Sequence, residues 1–237
     1  MAAIETLQIA NKPRPRFLRA LGDTDPPEMI EIAGERYRRI DVFKHDSWAA
    51  TALYESVDQK IVCKFNRRQH LFGIPMGWLG RKLARRERFF LQQLADQENV
   101  PDHVGPVCVE NRELPNAVAH IFVEGHPVGA KEHVSDEFFP LLQSTLETLH
   151  SRGMAYIDLH KSENVLVDPK GRPHLIDFQV SFCRPQNRFL AKLMGRIERK
   201  LQELDLYHLQ KHLTLKRPDL AGYDWYEFNN RDERPGW

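Results

Sequence analysis

The chain has 237 residues, which is enough for one large domain or two small lobes with a buried core. Its 34 Lys and Arg residues nearly balance its 33 Asp and Glu residues, so the net charge of +1 gives no reason to expect a nucleic-acid partner. The three cysteines are far apart and form no CxxC pair, which argues against a disulfide scaffold or a zinc site and fits a reducing cytoplasm. No stretch has the length and apolarity of a signal peptide or a transmembrane helix.

The first half of the chain predicts an antiparallel sheet with one helix. Residues 1–33 are polar and contain four prolines, which predicts a loosely ordered lead-in. Residues 34–125 then form a first lobe, in which apolar residues recur at helical spacing in RKLARRERFFLQQLADQ. Aromatic and β-branched residues predict its strands, which are ERYRRIDVF, TALYESV, QKIVCKFN, VGPVCVEN and NAVAHIFVEG.

The second half, residues 126–237, predicts a mainly helical lobe. SDEFFPLLQSTLETLHSRG opens with a capping signal and ends at a glycine, so it predicts a helix. A strong turn signal, DPKG, separates short predicted strands. The stretch RFLAKLMGRIERKLQELDLYHLQKHL predicts one or two closing helices.

Five polar residues occur in an order that has chemical meaning. Lys64 ends the strand IVCK, Glu87 lies in the first helix, and Asp158, Asn164 and Asp177 surround the DPKG hairpin. Amide and carboxylate oxygens are hard ligands that suit magnesium together with phosphate. Each of these residues alone is more often a turn, cap or surface residue, so it is the ordered set that predicts a site.

With these positions in place, residues 35–215 resemble the protein-kinase-like superfamily. Asp177 follows Asn164 by 13 residues, which is the kinase interval for a hairpin between two magnesium ligands. The resemblance implies an α+β fold of two lobes, with an antiparallel sheet and one helix in the first lobe and a minimal, mostly helical second lobe. It also implies ATP and Mg²⁺ as cofactors, with the nucleotide between the lobes.

The resemblance implies a role for each residue of the set. Lys64 would contact the α- and β-phosphates, and Glu87 would pair with Lys64 and hold it there. Asp158 would orient the attacking hydroxyl and accept its proton, while Asn164 and Asp177 would hold magnesium. In the strand-to-linker stretch AVAHIFVEG, backbone groups from Phe122 to Glu124 would meet the adenine.

The sequence departs from the kinase pattern in four places. Asn164 follows Asp158 by six residues, where the familiar kinase loop has five. The stretch FKHDSWAATALYE lacks the glycines of a phosphate-covering loop, and Ser47 or Thr51 would have to substitute for them. Tyr156 stands where kinases have a histidine, and Gln179 where they have the glycine after Asp-Phe.

The residues after Asp177 bear on the acceptor. No Ala-Pro-Glu motif and no long activation segment follow, and protein kinases use that region as a platform for peptides. The chain therefore resembles bacterial lipopolysaccharide-core sugar kinases and RIO-type atypical kinases more than ordinary serine/threonine kinases. The resemblance implies an acceptor hydroxyl on a glycolipid sugar at the inner face of the cytoplasmic membrane, with a protein serine as the alternative.

Other interpretations remain open. A nucleotide-binding pseudokinase fits the longer loop, the missing glycines and Gln179. His150, His160 and His174 lie near aspartates but match no compact zinc motif of a hydrolase. Residues 71–80, between basic clusters, are either a core-packing insertion or a contact with an anionic membrane or glycolipid. The basic patches carry no base-stacking motif, so no nucleic acid is expected.

Overall fold

The computed structural model describes residue 15 and residues 18–71, 73–129 and 132–222. They divide into two compact units. The first lies within Met1–Asp96 and Pro101–Val123, and the second within Gln97–Val100 and Glu124–Trp237. About half of the predicted lead-in, namely residues 1–14, 16 and 17, lies outside the described residues.

The first unit is an antiparallel sheet with one helix, as the sequence predicts. The helix is α1 (Gly77–Gln93). The seven strands are β1 (Met29–Ile32), β2 (Glu35–His45), β3 (Ala49–Glu55), β4 (Lys60–Asn66), β5 (Cys108–Val109), β6 (Arg112–Glu113) and β7 (Ala117–Ile121). They are hydrogen-bonded in the order β6-β5-β1-β2-β3-β4-β7, and every pair is antiparallel.

Strand β1 falls inside the stretch for which the sequence predicted no regular element. It reads MIEI, and its two isoleucines, Ile30 and Ile32, are buried in the core of the first unit. Four alternating residues between prolines and a glycine are a weak signal on their own. The strand forms because β2 pairs with all four of its residues, from Met29 with Arg38 to Ile32 with Glu35.

Side-chain alternation along β4 separates the core from the candidate lysine. Ile61, Cys63 and Phe65 point into the core cluster of the first unit. Because successive side chains of a strand point to opposite faces, Lys64 lies on the other face, and Thr51 of β3 is its cross-strand partner.

A glycine lets helix α1 come close to the chain that follows β4. A Cβ atom on Gly80 would lie only 2.1 Å from the Arg67 carbonyl oxygen, so any larger residue would push the helix away. Gly80, Ala84 and Glu87 are buried and recur at helical spacing, so they lie on one face of α1. The close approach at Gly80 therefore fixes the face that carries Glu87.

The second unit is mainly helical. Its helices are α2 (Phe138–Ser151), α3 (Arg188–Lys216) and α4 (Pro218–Ala221). Its short strands are β8 (His126–Pro127), β9 (Met154–Ala155), β10 (Val165–Val167), β11 (Pro173–Leu175) and β12 (Phe182–Cys183), in two small sheets ordered β11-β10-β8 and β12-β9. The predicted closing helices are one continuous helix of 29 residues, α3.

Two further properties of the described residues bear on the sequence expectations. Cys63, Cys108 and Cys183 are all free thiols. Across these residues no helix is both long enough and apolar enough to span a bilayer.

Candidate active site

In the first unit, Lys64 and Glu87 form a buried ion pair. The Lys64 Nζ atom lies 2.9 Å from Glu87 Oε1, and the two side chains are 10% and 1% exposed. Removing two charges from water costs several kcal/mol per ion, so a buried pair contributes little net stability over an apolar pair of similar size. Its presence on a sheet otherwise packed with apolar residues favours a functional role for Lys64.

The turn between β2 and β3 has no glycine, and polar contacts hold its conformation. Asp46 Oδ1 accepts the backbone N–H groups of Trp48 at 2.7 Å and Ala49 at 2.9 Å. The guanidinium of Arg67, which is 1% exposed, donates to the Ser47 carbonyl at 2.7 Å. These contacts fix the path of the turn, and they account for order in a stretch that lacks the expected glycines.

The two residues predicted to flank the adenine site lie just beyond β7. The Phe122 N–H donates to the Lys60 carbonyl at 3.0 Å, so this group is already used in the sheet. Its ring packs against Phe43, with centroids 6.4 Å apart. Glu124 is exposed and belongs to the second unit.

In the second unit, the loop from Asp158 to Asn164 closes on itself. It consists of two 3₁₀ turns, Asp158–His160 and Ser162–Asn164, joined by Lys161 in an extended conformation. Asn164 Nδ2 donates to Asp158 Oδ2 at 3.1 Å, and Lys161 Nζ lies 2.7 Å from the same oxygen. The additional loop residue therefore leaves Asp158 and Asn164 in direct contact.

Lys161 is the cation of this loop. Burial alone would lower its pKa, but the hydrogen bond and charge of Asp158, with the charges of Asp177 and Glu163, raise the pKa above its usual value. Lys161 is therefore protonated throughout the neutral range, and it lies in the field of both candidate aspartates. No sequence signal marks Lys161 as a site residue, because nothing in its spacing separates it from an exposed loop lysine.

A buried carboxylate from α3 holds the backbone just before Asp158. Asp205 is fully buried, and its two oxygens accept the N–H groups of Tyr156 and Ile157, each at 2.7 Å. Ile157 has φ 74° and ψ −45°, a strained conformation for a β-branched residue. Asp205 Oδ2 also lies 3.0 Å from His150 Nε2. Asp205 is thus a positioning residue for the loop that presents Asp158.

The sequence contains a signal for Asp205 that was missed. Leu201, Asp205 and Leu209 are spaced four residues apart, and all three are buried on one stripe of α3. A charged residue on the apolar stripe of a helix needs a buried partner. Here the partners are backbone N–H groups, which no side-chain pattern reveals.

The second carboxylate of the predicted magnesium pair also has an unusual backbone. Asp177 has φ 62°, which costs a non-glycine residue roughly 1–2 kcal/mol. The preceding Ile176 donates its N–H to the Asn164 carbonyl at 3.1 Å, which ties the two predicted ligands together through the backbone. The Tyr156 hydroxyl donates to the Ile176 carbonyl, and the Tyr156 ring packs edge-on against Phe178 at 5.2 Å. Tyr156 therefore links the Asp158 loop to the Asp177 segment.

The hairpin between Asn164 and Asp177 is held by Asp168. Its carboxylate accepts the backbone N–H groups of Lys170 and Arg172, the Arg172 Nε–H, and a contact from His174 Nε2 at 3.3 Å. Burial alone would raise the pKa of Asp168, but these donors outweigh it and lower the pKa to about 2. The hairpin that spaces the two predicted ligands is therefore fixed by one ionised side chain.

Replacing Asp168 with Asn is expected to destabilise the protein by about 2 kcal/mol at pH 7, because a pKa shift of nearly two units is a stability difference of that size. The folded pKa is depressed, so the contribution is present above about pH 4 and is lost as the pH falls toward 2. Urea denaturation of both proteins from neutral to acidic pH measures the difference. Asp58→Asn, at an exposed loop aspartate, is the control. An Asp168→Asn cost that stays constant with pH would contradict the assignment.

The residues in the second unit fit a magnesium ion held partly by phosphate. The hydrogen bonds described for the Asn164 side chain use its amide nitrogen, which leaves the amide oxygen as a cation ligand. Among the described residues, no group of three or more His, Cys, Asp or Glu side chains could hold a metal ion. Magnesium is commonly bound by one or two protein ligands together with water and substrate phosphates, so Asn164 and Asp177 suffice in type and number.

The three histidines considered for a metal hydrolase are each directed to a different aspartate. His150 contacts Asp205. His160 contacts Asp158 at 3.5 Å, and His174 contacts Asp168 at 3.3 Å. Because their partners differ, the histidines form no joint ligand set within the part of the chain that the structure describes.

The structure contains an antiparallel sheet unit with a Lys–Glu pair between strand and helix, and a mainly helical unit that carries the acidic loop and hairpin. The predicted α+β fold class is confirmed. The arrangement of Asp158, Asn164 and Asp177 around Lys161 is the candidate catalytic part of that fold.

Comparisons with known proteins give the following similarities. No protein-family model matches the chain. An 88-residue stretch is 34% identical to the serine/threonine-protein kinase grp of Drosophila melanogaster, and it covers 35% of this chain but 17% of the fly protein. The crystal structure of the Rio2 kinase-ADP/Mg²⁺-phosphoaspartate complex from Chaetomium thermophilum is similar with a TM-score of 0.49 and 16% identity, over 70% of this chain and 55% of that one.

Proposed function

We propose that the chain is an ATP- and magnesium-dependent phosphotransferase that phosphorylates a sugar hydroxyl of a glycolipid such as lipopolysaccharide. The observation that carries the proposal is the contact of Asp158 with both Lys161 and Asn164. A carboxylate, a cation and an amide within hydrogen-bonding distance are what proton acceptance, charge stabilisation and metal binding require at a phosphoryl-transfer site.

Each residue has one task in the proposed reaction. Asp158 orients the acceptor hydroxyl and takes its proton as the oxygen attacks the γ-phosphorus, whose bond to the bridging oxygen breaks to release ADP. Lys161, held on Asp158, stabilises negative charge on the transferred group. Lys64, oriented by Glu87, contacts the α- and β-phosphates. Asn164 and Asp177 would hold Mg²⁺, which would neutralise charge on the phosphates.

The retained groups argue against a pseudokinase. A binding module has no need for a buried Lys64–Glu87 pair together with a strained backbone at Asp177. Such features persist only where the surrounding structure enforces them, and they cluster at functional sites.

The short connection after Asp177 supports a non-peptide acceptor. Only ten residues separate Asp177 from the start of α3 at Arg188, and they include β12. A segment of this length leaves no room for the extended platform on which protein kinases align peptides. A sugar hydroxyl on a membrane glycolipid needs no such platform, and this acceptor would place the protein at the cytoplasmic face of the membrane.

A contact with anionic membrane through residues 71–80 forms part of this proposal. Ile74 and Trp78 in that stretch are 61% and 55% exposed. Leu71 and Ile74 exchange both backbone hydrogen bonds, which forms a tight turn around Gly73. The second candidate acceptor is a protein serine, which is favoured by the 88-residue similarity to a serine/threonine-protein kinase.

The purified full chain with γ-radiolabelled ATP and Mg²⁺ is expected to label membrane glycolipid and to leave a protein extract unlabelled. Asp177→Ala is expected to abolish labelling because it removes a magnesium ligand, whereas Asp58→Ala, at an exposed loop aspartate, should change nothing. Label found only in protein would exclude the sugar acceptor. Failure of the wild-type chain to bind or turn over ATP would exclude the enzyme altogether.

A further inference from the structure

The first half of α3 presents an apolar stripe to solvent. Phe189, Leu190, Leu193 and Ile197 are 77%, 44%, 66% and 46% exposed. At 100° per residue they lie within about one third of the helix circumference. Exposed apolar residues are ordinary when scattered, but four of them on one helix face form a continuous patch of the kind that marks an interaction surface.

The patch is rigidly attached to the core of the second unit. Farther around the same helix, Met194 and Leu201 pack against a cluster that contains Ala155 and Phe182. The side chain of Asn187 accepts the N–H groups of Phe189 and Leu190 and thereby caps the start of the helix. The apolar stripe is therefore held in place on a folded helix.

The same half of α3 is strongly basic. Glu198 is the one acidic residue in the sequence from 188 to 202. It is 2% exposed and receives two hydrogen bonds from Arg184, so its charge is neutralised locally. Against it stand five cations: Arg188, Lys192, Arg196, Arg199 and Lys200.

The basic edge of α3 lines an open cavity. The cavity has a volume of about 540 Å³, and its wall includes Lys192, Arg196 and Arg199 together with the ion pair of Arg184 and Glu198. Gly195 also lines it, and a Cβ atom at that position would meet nothing within 4 Å. A glycine inside a helix costs up to ~1 kcal/mol relative to alanine. This one leaves open space next to the cations that line the cavity.

We propose that this face of α3, residues 188–200, docks on an anionic phospholipid bilayer. The apolar stripe would enter the boundary between headgroups and acyl chains, while the neighbouring cations would bind lipid phosphates. Nucleic acid would use the cations but leave the apolar stripe in water, so the adjacent apolar and basic strips favour lipid. The proposal concerns where the protein binds and does not rest on phosphotransfer.

The test measures co-sedimentation of the full chain with vesicles of phosphatidylcholine alone or with phosphatidylglycerol added. Binding is expected only to the anionic vesicles, and it should weaken as salt is raised. Leu193→Glu is expected to lower binding at least about tenfold because it places a charge in the apolar stripe. The double change Lys192→Ala and Arg196→Ala should lower it about 25-fold, at about fivefold for each cation.

Val57→Glu is the matched control, because Val57 is a 99% exposed apolar residue in the first unit. It should leave vesicle binding unchanged, and circular dichroism verifies that each variant is folded. The proposal is overturned if the wild-type chain ignores anionic vesicles or binds neutral ones equally well. It is also overturned if Trp78→Glu abolishes binding while Leu193→Glu has no effect, since the lipid contact would then lie in residues 71–80.

Discussion

Replacing Asp158 with Asn is expected to lower the rate of phosphotransfer by about 10³-fold and to change ATP affinity by less than about threefold. Asparagine has nearly the shape of aspartate but cannot take a proton from the acceptor hydroxyl. In the proposed reaction Asp158 contacts the acceptor hydroxyl and not the nucleotide. Asparagine keeps one oxygen for the contacts with Lys161 and Asn164, so nucleotide binding should be retained. Steady-state kinetics with labelled ATP gives kcat and KM, and calorimetry gives the affinity for ATP.

Asp58→Asn serves again as the control for an aspartate on an exposed loop. An equal loss of kcat and ATP affinity in Asp158→Asn would indicate that Asp158 contacts the nucleotide and not the acceptor. An unchanged kcat would show that Asp158 takes no part in the reaction. His160, which lies 3.5 Å from the same carboxylate, would then be the next group to test.

Much of the fold could be predicted because its strands and helices are strongly periodic. Strands β2 and β3 are predicted by alternation and β4 by a short apolar run, and β4 carries Lys64 on the face opposite Cys63. That alternation is set by local chain geometry, so a sequence pattern reveals it. Strand β1 could not be predicted, because it is stabilised by pairing with β2 and not by a pattern in its own four residues.

The candidate site likewise has one part that the sequence predicts and one part that it does not. Asn164 and Asp177 could be paired from the sequence because the hairpin between them has a strong turn signal, and Asp168 is the first residue of that turn. The loop from Asp158 to Asn164 could not be resolved, since its geometry depends on a helix about 50 residues away. Asp205 reaches it through backbone N–H groups, and every residue has such groups.

Replacing Asp205 with Ala is expected to destabilise the protein by about 4 kcal/mol, because two backbone N–H groups and one imidazole lose their buried partner at about 1–3 kcal/mol each. Asp205 is fully buried, and it bonds Tyr156, Ile157 and His150. Urea denaturation measures the loss. Leu206→Ala, at a 42% exposed position on the same helix, is the control and should cost less than about 1 kcal/mol.

Asp205→Asn separates positioning from stability, because the amide retains one oxygen for the loop and the protein should remain folded at assay temperature. If Asp205 positions Asp158, kcat of Asp205→Asn should fall about tenfold or more while KM for ATP stays within about twofold, since the released loop misplaces the proton acceptor. A purely structural role predicts that the folded fraction retains full kcat. The strained φ of 74° at Ile157 gives the physical reason to expect the first result: without both oxygens of Asp205, the backbone before Asp158 relaxes toward an ordinary conformation and turns the carboxylate away from its place beside Lys161.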